Sequence, residues 1–152
     1  MGVLKQDGGN GVIAYPKKIV TSLANGAIAI GNCVKVETDV SADPDPDTYG
    51  AAGFIVTATA ESNSPLACGI AVTAAADGEL VQIQVAGFND TPEIVTGDTA
   101  AIGTMVGGSA SGEIRAWDTE AADAQPFAVV VNAFSDGAAD GAILIIDKGW
   151  FG

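Results

Sequence analysis

In the stretch at 69–88, GIAVTAAADGELVQIQVAGF, Val81, Ile83 and Val85 alternate with Gln82 and Gln84 directly after an Asp77-Gly78 pair. Side chains of a strand point alternately to its two faces, so this spacing sends three β-branched residues to one side and both glutamines to the other. A helix would scatter the same residues around its circumference. Gly accepts the positive φ that tight hairpin turns need, and Asp-Gly is a strong signal for one. The segment therefore predicts two antiparallel strands with one face in a core and the other in water or an interface. Apolar runs at 28–36, 53–59, 67–74 and 80–86 are separated by turn-forming residues. The fold class expected from this rhythm is all-β. Composition agrees: 48% of residues are hydrophobic, but Leu is scarce and Ala, Val and Ile are spread among 20 glycines.

Two phrases recur. FAVVVNAFSDGAADGAILIID near the C-terminus again runs strand, Asp-Gly turn, strand, with Ile143 and Ile145 in positions like Val81 and Ile83. ANGAIAIGNCVKV at 24–36 resembles TGDTAAIGTMVGG at 96–108, each with Ala-Ile before a Gly (Gly31, Gly103). Two pseudo-repeated halves follow, at about 19–89 and 93–147. Ahead of them, residues 1–16 hold the cluster Gly8-Gly9-Asn10-Gly11 and Pro16 with no regular apolar spacing, and are expected to be an extended N-terminal arm. Residues 17–152 form a single barrel domain, since a chain of this length builds one core. Two acidic, proline-bearing loops are expected: one at 37–50, where Pro44 and Pro46 enforce an extended course, and one at 118–126, with room for one helical turn before Pro126.

Charge narrows the partners. The net charge is -13, yet of 19 acids only Asp7 precedes Glu37, while Lys5, Lys17, Lys18 and Lys35 lie in the first 35 residues. An acidic body repels phosphate backbones, so nucleic acid is not an expected partner. The lysine-bearing first segment suits an acidic protein surface; the same lysines are equally ordinary solvated charges. No apolar run approaches the roughly 20 residues of a membrane span, and the N-terminus has no signal-peptide core, so no membrane is expected and the chain reads as soluble.

Catalysis finds little to stand on. The chain has no His, which excludes Ser-His-Asp and Cys-His systems and His-containing metal sites. Cys33 and Cys68 lie in apolar strands and read as small buried hydrophobes, which on neighbouring strands could face one another. The DxDxD run at 43–47 departs from a calcium loop, with Thr48 where Gly is needed and Phe54 where a bidentate Glu belongs. It reads as a solvated loop. Gly107-Gly108 lacks a phosphate-loop context and reads as a turn. No cofactor, metal or catalytic residue is expected, and the protein is expected not to be an enzyme. Trp117, beside Arg115, is expected to close one end of a strand. Trp150 and Phe151 put two large rings at a chain end, where each buries about 150–250 Å² either on its own barrel or in a neighbour.

Together the Ala-Ile-x-x-Gly segment (AAIGTMVGGSASGEI), the apolar strands GIAVTAAA and FAVVVNAF, and the closing strands GELVQIQVAG and GAILIID resemble the small decoration, or cement, proteins of tailed-phage heads. The resemblance spans about residues 24–147, and the acidic loop at 37–50 is not part of it. It implies a small β-barrel or β-tulip that assembles as a homotrimer on the capsid exterior of the virion, gripping the major capsid protein lattice with terminal arms. On that reading the contact residues are Val3, Leu4, Lys5, Val12, Tyr15, Lys17 and Lys18 on the arm, with Trp150 and Phe151 at the other end. The alternatives are another virion structural subunit, or a carbohydrate- or ion-binding β-module using the acidic loop and Trp117.

Overall fold

The structure, a computed structural model, describes residues 17–37, 55–59, 64–117, 125–135 and 141–151. The expected arm at 1–16, the acidic loop beyond Glu37 and the helical turn expected from 118 lie outside the described residues, apart from Gln125 and Pro126, which are not helical. Eleven strands are described: β1 (Lys18–Ala24), β2 (Cys33–Val36), β3 (Ile55–Ala58), β4 (Ala67–Ala71), β5 (Leu80–Asn89), β6 (Thr99–Ala100), β7 (Met105–Gly108), β8 (Ile114–Ala116), β9 (Ala128–Asn132), β10 (Phe134–Ser135) and β11 (Ala142–Ile145). The helical element among the described residues is a single 3-10 turn at Ala110–Gly112. The all-β expectation holds.

Nine strands make one sheet in the order β1-β3-β2-β4-β5-β11-β9-β7-β8, and a further pairing of β1 with β5 closes the first five into a barrel. Closure satisfies the backbone groups that open edges would leave bare. The ten-residue strand β5 then leaves this barrel. Residues 80–86 pair with β1, whereas Gly87, Phe88 and Asn89 pair with β11. Gly87 has φ 93, a value that suits a residue without Cβ at the point where the strand changes partner.

The second half repeats the first bond by bond. In the turn Ala29–Asn32, Asn32 N donates to Ala29 O, and in Ala101–Thr104, Thr104 N donates to Ala101 O. Gly31 and Gly103 carry φ 89 and 88. Gly31 N donates to Ala71 O and Ala71 N to Asn32 O; Gly103 N donates to Val130 O and Val130 N to Thr104 O. Ile28 bridges Ala75 as Ala100 pairs with Phe134. The sheet order β3-β2-β4-β5 is mirrored by β8-β7-β9-β11, with Val34 opposite Ala58 and Val106 opposite Ala116. Closure differs. The parallel β1–β3 ladder is represented in the second half by a single parallel bridge, Ile94 to Ile114, with Val95 N donating to Ile114 O as Asn25 N does to Val56 O.

This register shifts one expected correspondence. Ile83 pairs with Ala71 and Ile143 with Val130, so Ile143 and Ile145 match Ile83 and Val85, not Val81 and Ile83.

Two apolar clusters fill the halves. Ala24, Ile28, Val34, Val56, Cys68, Ala71, Ala75, Ile83 and Val85 belong to the first. Their equivalents Ile94, Ala100, Val106, Ile114, Phe127, Val130, Phe134, Ile143 and Ile145 belong to the second. The second cluster also takes Cys33, Ala67 and Ile70 from the outer wall of the first barrel. Cys33 and Cys68 are thus on neighbouring strands but in different clusters, and both are free thiols.

The two halves meet along that wall. Gly107 and Gly108 are not a turn but buried residues of β7, and a Cβ on Gly108 would stand 2.7 Å from Thr59 Cγ2 and 3.2 Å from Cys33 Sγ. Thr59 Oγ1 donates to Ser109 O at 2.6 Å, and Gly112 N donates to Thr59 O. Gln84, sent outward by the alternation of β5, is buried at this junction. Its Nε2 donates to the carbonyls of Ala86 and Phe88, and its Oε1 accepts from Asn89 Nδ2. A buried amide needs such partners, and here they brace the strand where it leaves the barrel. Gln82 is exposed, as expected.

Candidate functional site

The chain ends described by the structure meet at one corner. Lys18, at the start of β1, donates from Nζ to Asp147 Oδ2 at 3.3 Å, tying β1 to the segment after β11. Asp147 Oδ1 accepts from Gly149 N at 2.8 Å, with Gly149 at φ 72. The Gly149 amide first, and the Lys18 ammonium after it, hold the Asp147 carboxyl below its ordinary range against a smaller opposing effect of burial. Lys148 turns the other way. Its Nζ donates to Pro65 O at 3.2 Å and lies 4.7 Å from the centre of the Trp150 ring. Partial burial lowers the Lys148 pKa, opposed by the nearby cysteines.

The expected contact residues are divided by this geometry. Val3, Leu4, Lys5, Val12 and Tyr15 lie outside the described residues. Lys17 is exposed and Lys18 is half-buried against Asp147. Phe151 packs on the first barrel's own core, whereas Trp150 is 45% exposed with a cation over its face. Trp117 follows β8 half-buried, its N donating to Met105 O as Thr59 N does to Cys33 O.

Sequence reasoning missed several exposed apolar residues. Ile30 and Ile102 occupy the same position of the two repeated turns and are 60% and 70% exposed. The recurring Ala-Ile-Gly phrase carried that signal. Phe88 and Ile146, 40% and 43% exposed, lie at the β5–β11 seam. Their exposure follows from which strand β5 joins after Gly87.

Burial raises both thiols, Cys68 to about 12 and Cys33 further, so neither supplies a thiolate near neutral pH. Among the described residues no group of three or more Cys, Asp or Glu could hold a metal ion, and no helix is long and apolar enough to cross a membrane.

A solved structure is similar in fold to this chain. It is the head fibre gp8.5 N base of bacteriophage phi29, with a TM-score of 0.55 over 87% of this chain and 96% of that one. Identity is 13%, so the likeness is one of fold. No known family matches the sequence, and no curated protein matches it either.

Proposed function

We propose that the protein is a structural component of a phage head that binds the outside of the assembled capsid and steadies its lattice, without enzymatic activity. The observation that carries this reading is the fold likeness to a head fibre base along nearly the full length of both chains. The decoration-protein phrasing of the sequence supports it independently, as does a corner where Lys17 and Trp150 are offered to solvent. Binding acts by mass action: a protein that engages the closed lattice and not its free subunits lowers the free energy of the closed state. Several contacts per assembly add avidity without any one being tight.

Mixing the purified chain with undecorated heads and imaging the particles tests this. Extra density on the outer surface, and heads that survive heating or dilution better, are expected. Heads that stay bare at micromolar protein would overturn the reading. Deleting residues 1–16 sharpens it: the truncated chain should stay folded and lose most head binding, and full binding would remove the arm from the contact.

A further inference from the structure

Two dipeptides hold one another across the end of the barrel. Asn25-Gly26 follows β1, and Asp77-Gly78 precedes β5. Gly26 N donates to Asp77 Oδ1 at 2.8 Å, and Gly78 N donates to Ala24 O at 2.8 Å. On either side of Gly26 the chain is tied down again: Asn25 N donates to Val56 O, and Ile28 N donates to Ala75 O. Asn25 itself is exposed, so water and hydroxide reach it. In the second half the glycine of matching φ, Gly97 at 84 against 85 for Gly26, follows Thr96, whose side chain has no carbonyl.

We propose that Asn25 is a latent deamidation site that the Asp77 carboxylate keeps closed, so that its conversion follows opening of the barrel at the β1–β3 end. The reaction needs only water and hydroxide. Hydroxide removes the Gly26 N–H proton, and the nitrogen attacks Asn25 Cγ. The N–Cγ bond forms as the Cγ–Nδ2 bond breaks, and ammonia leaves with a proton from water, which restores the hydroxide. Water then opens the five-membered imide to aspartate or isoaspartate at position 25, with nothing oxidised or reduced. Glycine on the attacking side has no Cβ to hinder the approach, and a Cβ built there would meet nothing within 4 Å, so no neighbour blocks it either.

The hydrogen bond to Asp77 opposes the first step. Removing the Gly26 proton would leave an anion 2.8 Å from a carboxylate, and like charge disfavours that form. An amide N–H is far too weak an acid for the carboxylate to take its proton, so Asp77 guards the site and is not its base. Attack also needs the nitrogen turned towards Asn25 Cγ, while the bonds to Asp77 and Val56 hold the peptide in place. Conversion therefore passes through local opening, whose population sets the rate. Isoaspartate adds a methylene to the backbone between Asn25 N and Ile28 N. One event thus spoils the spacing between the bonds to Val56 and Ala75, and the opening becomes permanent.

Incubating the full chain at mildly alkaline pH, folded and in urea, and separating its asparagine, aspartate and isoaspartate peptides tests the inference, which stands whether or not the chain binds a head. Peptide mapping keeps Asn25 apart from Asn10-Gly11, the chain's other such pair. Asn25 should convert at least about tenfold more slowly in the folded chain than in urea. In folded Asp77→Ala it should convert at least about tenfold faster than in the folded parent. Glu79→Ala loosens the same turn, where Glu79 Oε2 accepts from Ala76 N, yet leaves Gly26 its partner, so its rate should stay near the parent's. Circular dichroism checks that each variant is folded, and hydrogen exchange at the Gly26 amide should quicken in Asp77→Ala alone. Conversion as fast in the folded parent as in urea overturns the proposal. So does a rate in Asp77→Ala at or below the parent's, which would make the carboxylate a base, or equal acceleration in Glu79→Ala, which would make the effect one of turn stability.

Discussion

The two halves share the backbone hydrogen bonds of the repeated turn and its neighbouring strands around different fillings. At the bridge beneath the repeated turn the first half places Ile28 against Ala75, and the second places Ala100 against Phe134. Large and small have changed sides, and all four residues are buried. A close-packed interior holds a fixed volume at each layer. The comparison therefore teaches that backbone register is the inherited part of this fold, while side chains need only satisfy a local volume. It also explains why the repeat reads so weakly: the nine equivalent core positions keep the hydrophobic class, and just Val34/Val106 and Ile83/Ile143 keep the residue.

The largest effect comes from forcing the first half to pack like the second. Ile28→Ala should cost about 2–5 kcal/mol through the cavity it leaves, and Ala75→Phe about 1–3 kcal/mol or more through overpacking. Together they rebuild the Ala100–Phe134 arrangement. The double variant should then recover to within about 1.5 kcal/mol of the parent, as volume-conserving exchanges do. Urea unfolding of the four proteins in a cycle measures the coupling. Strict additivity within about 0.5 kcal/mol would mean the two layers are not equivalent in shape.

This pairing marks the limit of what sequence could show. Strand rhythm, the two halves and their boundary near residue 90 were legible because Val/Ile alternation and Ala-Ile-Gly turns are local signals. The Asp77-Gly78 turn is present, with Gly78 at φ 77 and Glu79 N donating to Ala76 O. The closure was not legible. Leu80–Asn89 reads as one strand, and nothing in its letters says that its last three residues pair with the second half. Gly107-Gly108 misled for the same reason: glycine there reflects Thr59 and Cys33 arriving from the other half, a contact between residues about fifty or more apart in sequence. Of the contact residues expected from sequence, Trp150 could be placed on the surface while Phe151 turned inward; alternation at a chain end does not fix which of two adjacent rings packs back.

The repeated glycines offer a smaller, sharper test. Gly31 and Gly103 share the same positive φ, so Gly→Ala costs each about 1–2 kcal/mol of backbone strain, and the gain from a stiffer unfolded chain is common to both. Their surroundings differ. A Cβ at Gly31 would stand 2.8 Å from Thr91 O, whereas at Gly103 nothing lies within 4 Å. Gly31→Ala should therefore lower the urea midpoint clearly more than Gly103→Ala, with similar slopes. Equal losses would show that the turn at Gly31 can retreat from the 91–93 segment, and that the halves are less firmly joined than the hydrogen bond from Glu93 N to Gly31 O indicates.

The smallest effect concerns charge at the join. Lys18 belongs to the first half and Asp147 follows the last strand of the second, so their ion pair bridges the halves. Asp147 has a folded pKa depressed by the Gly149 amide and then by Lys18. Its contribution is therefore present above the unfolded carboxyl value of about 3.9 and is lost as pH falls through the lower folded value. With the two side chains 27% and 43% exposed, solvent screening leaves at most about 0.5 kcal/mol. Lys18→Ala should lose that little at pH 7, and the loss should fade as pH drops through the lowered folded value of Asp147. Since the Gly149 amide is the larger cause, Asp147→Asn should lose more than Lys18→Ala over the same window. A loss above about 2 kcal/mol in Lys18→Ala would mean that charge, and not the apolar wall of Cys33 and Ile70, holds the halves together.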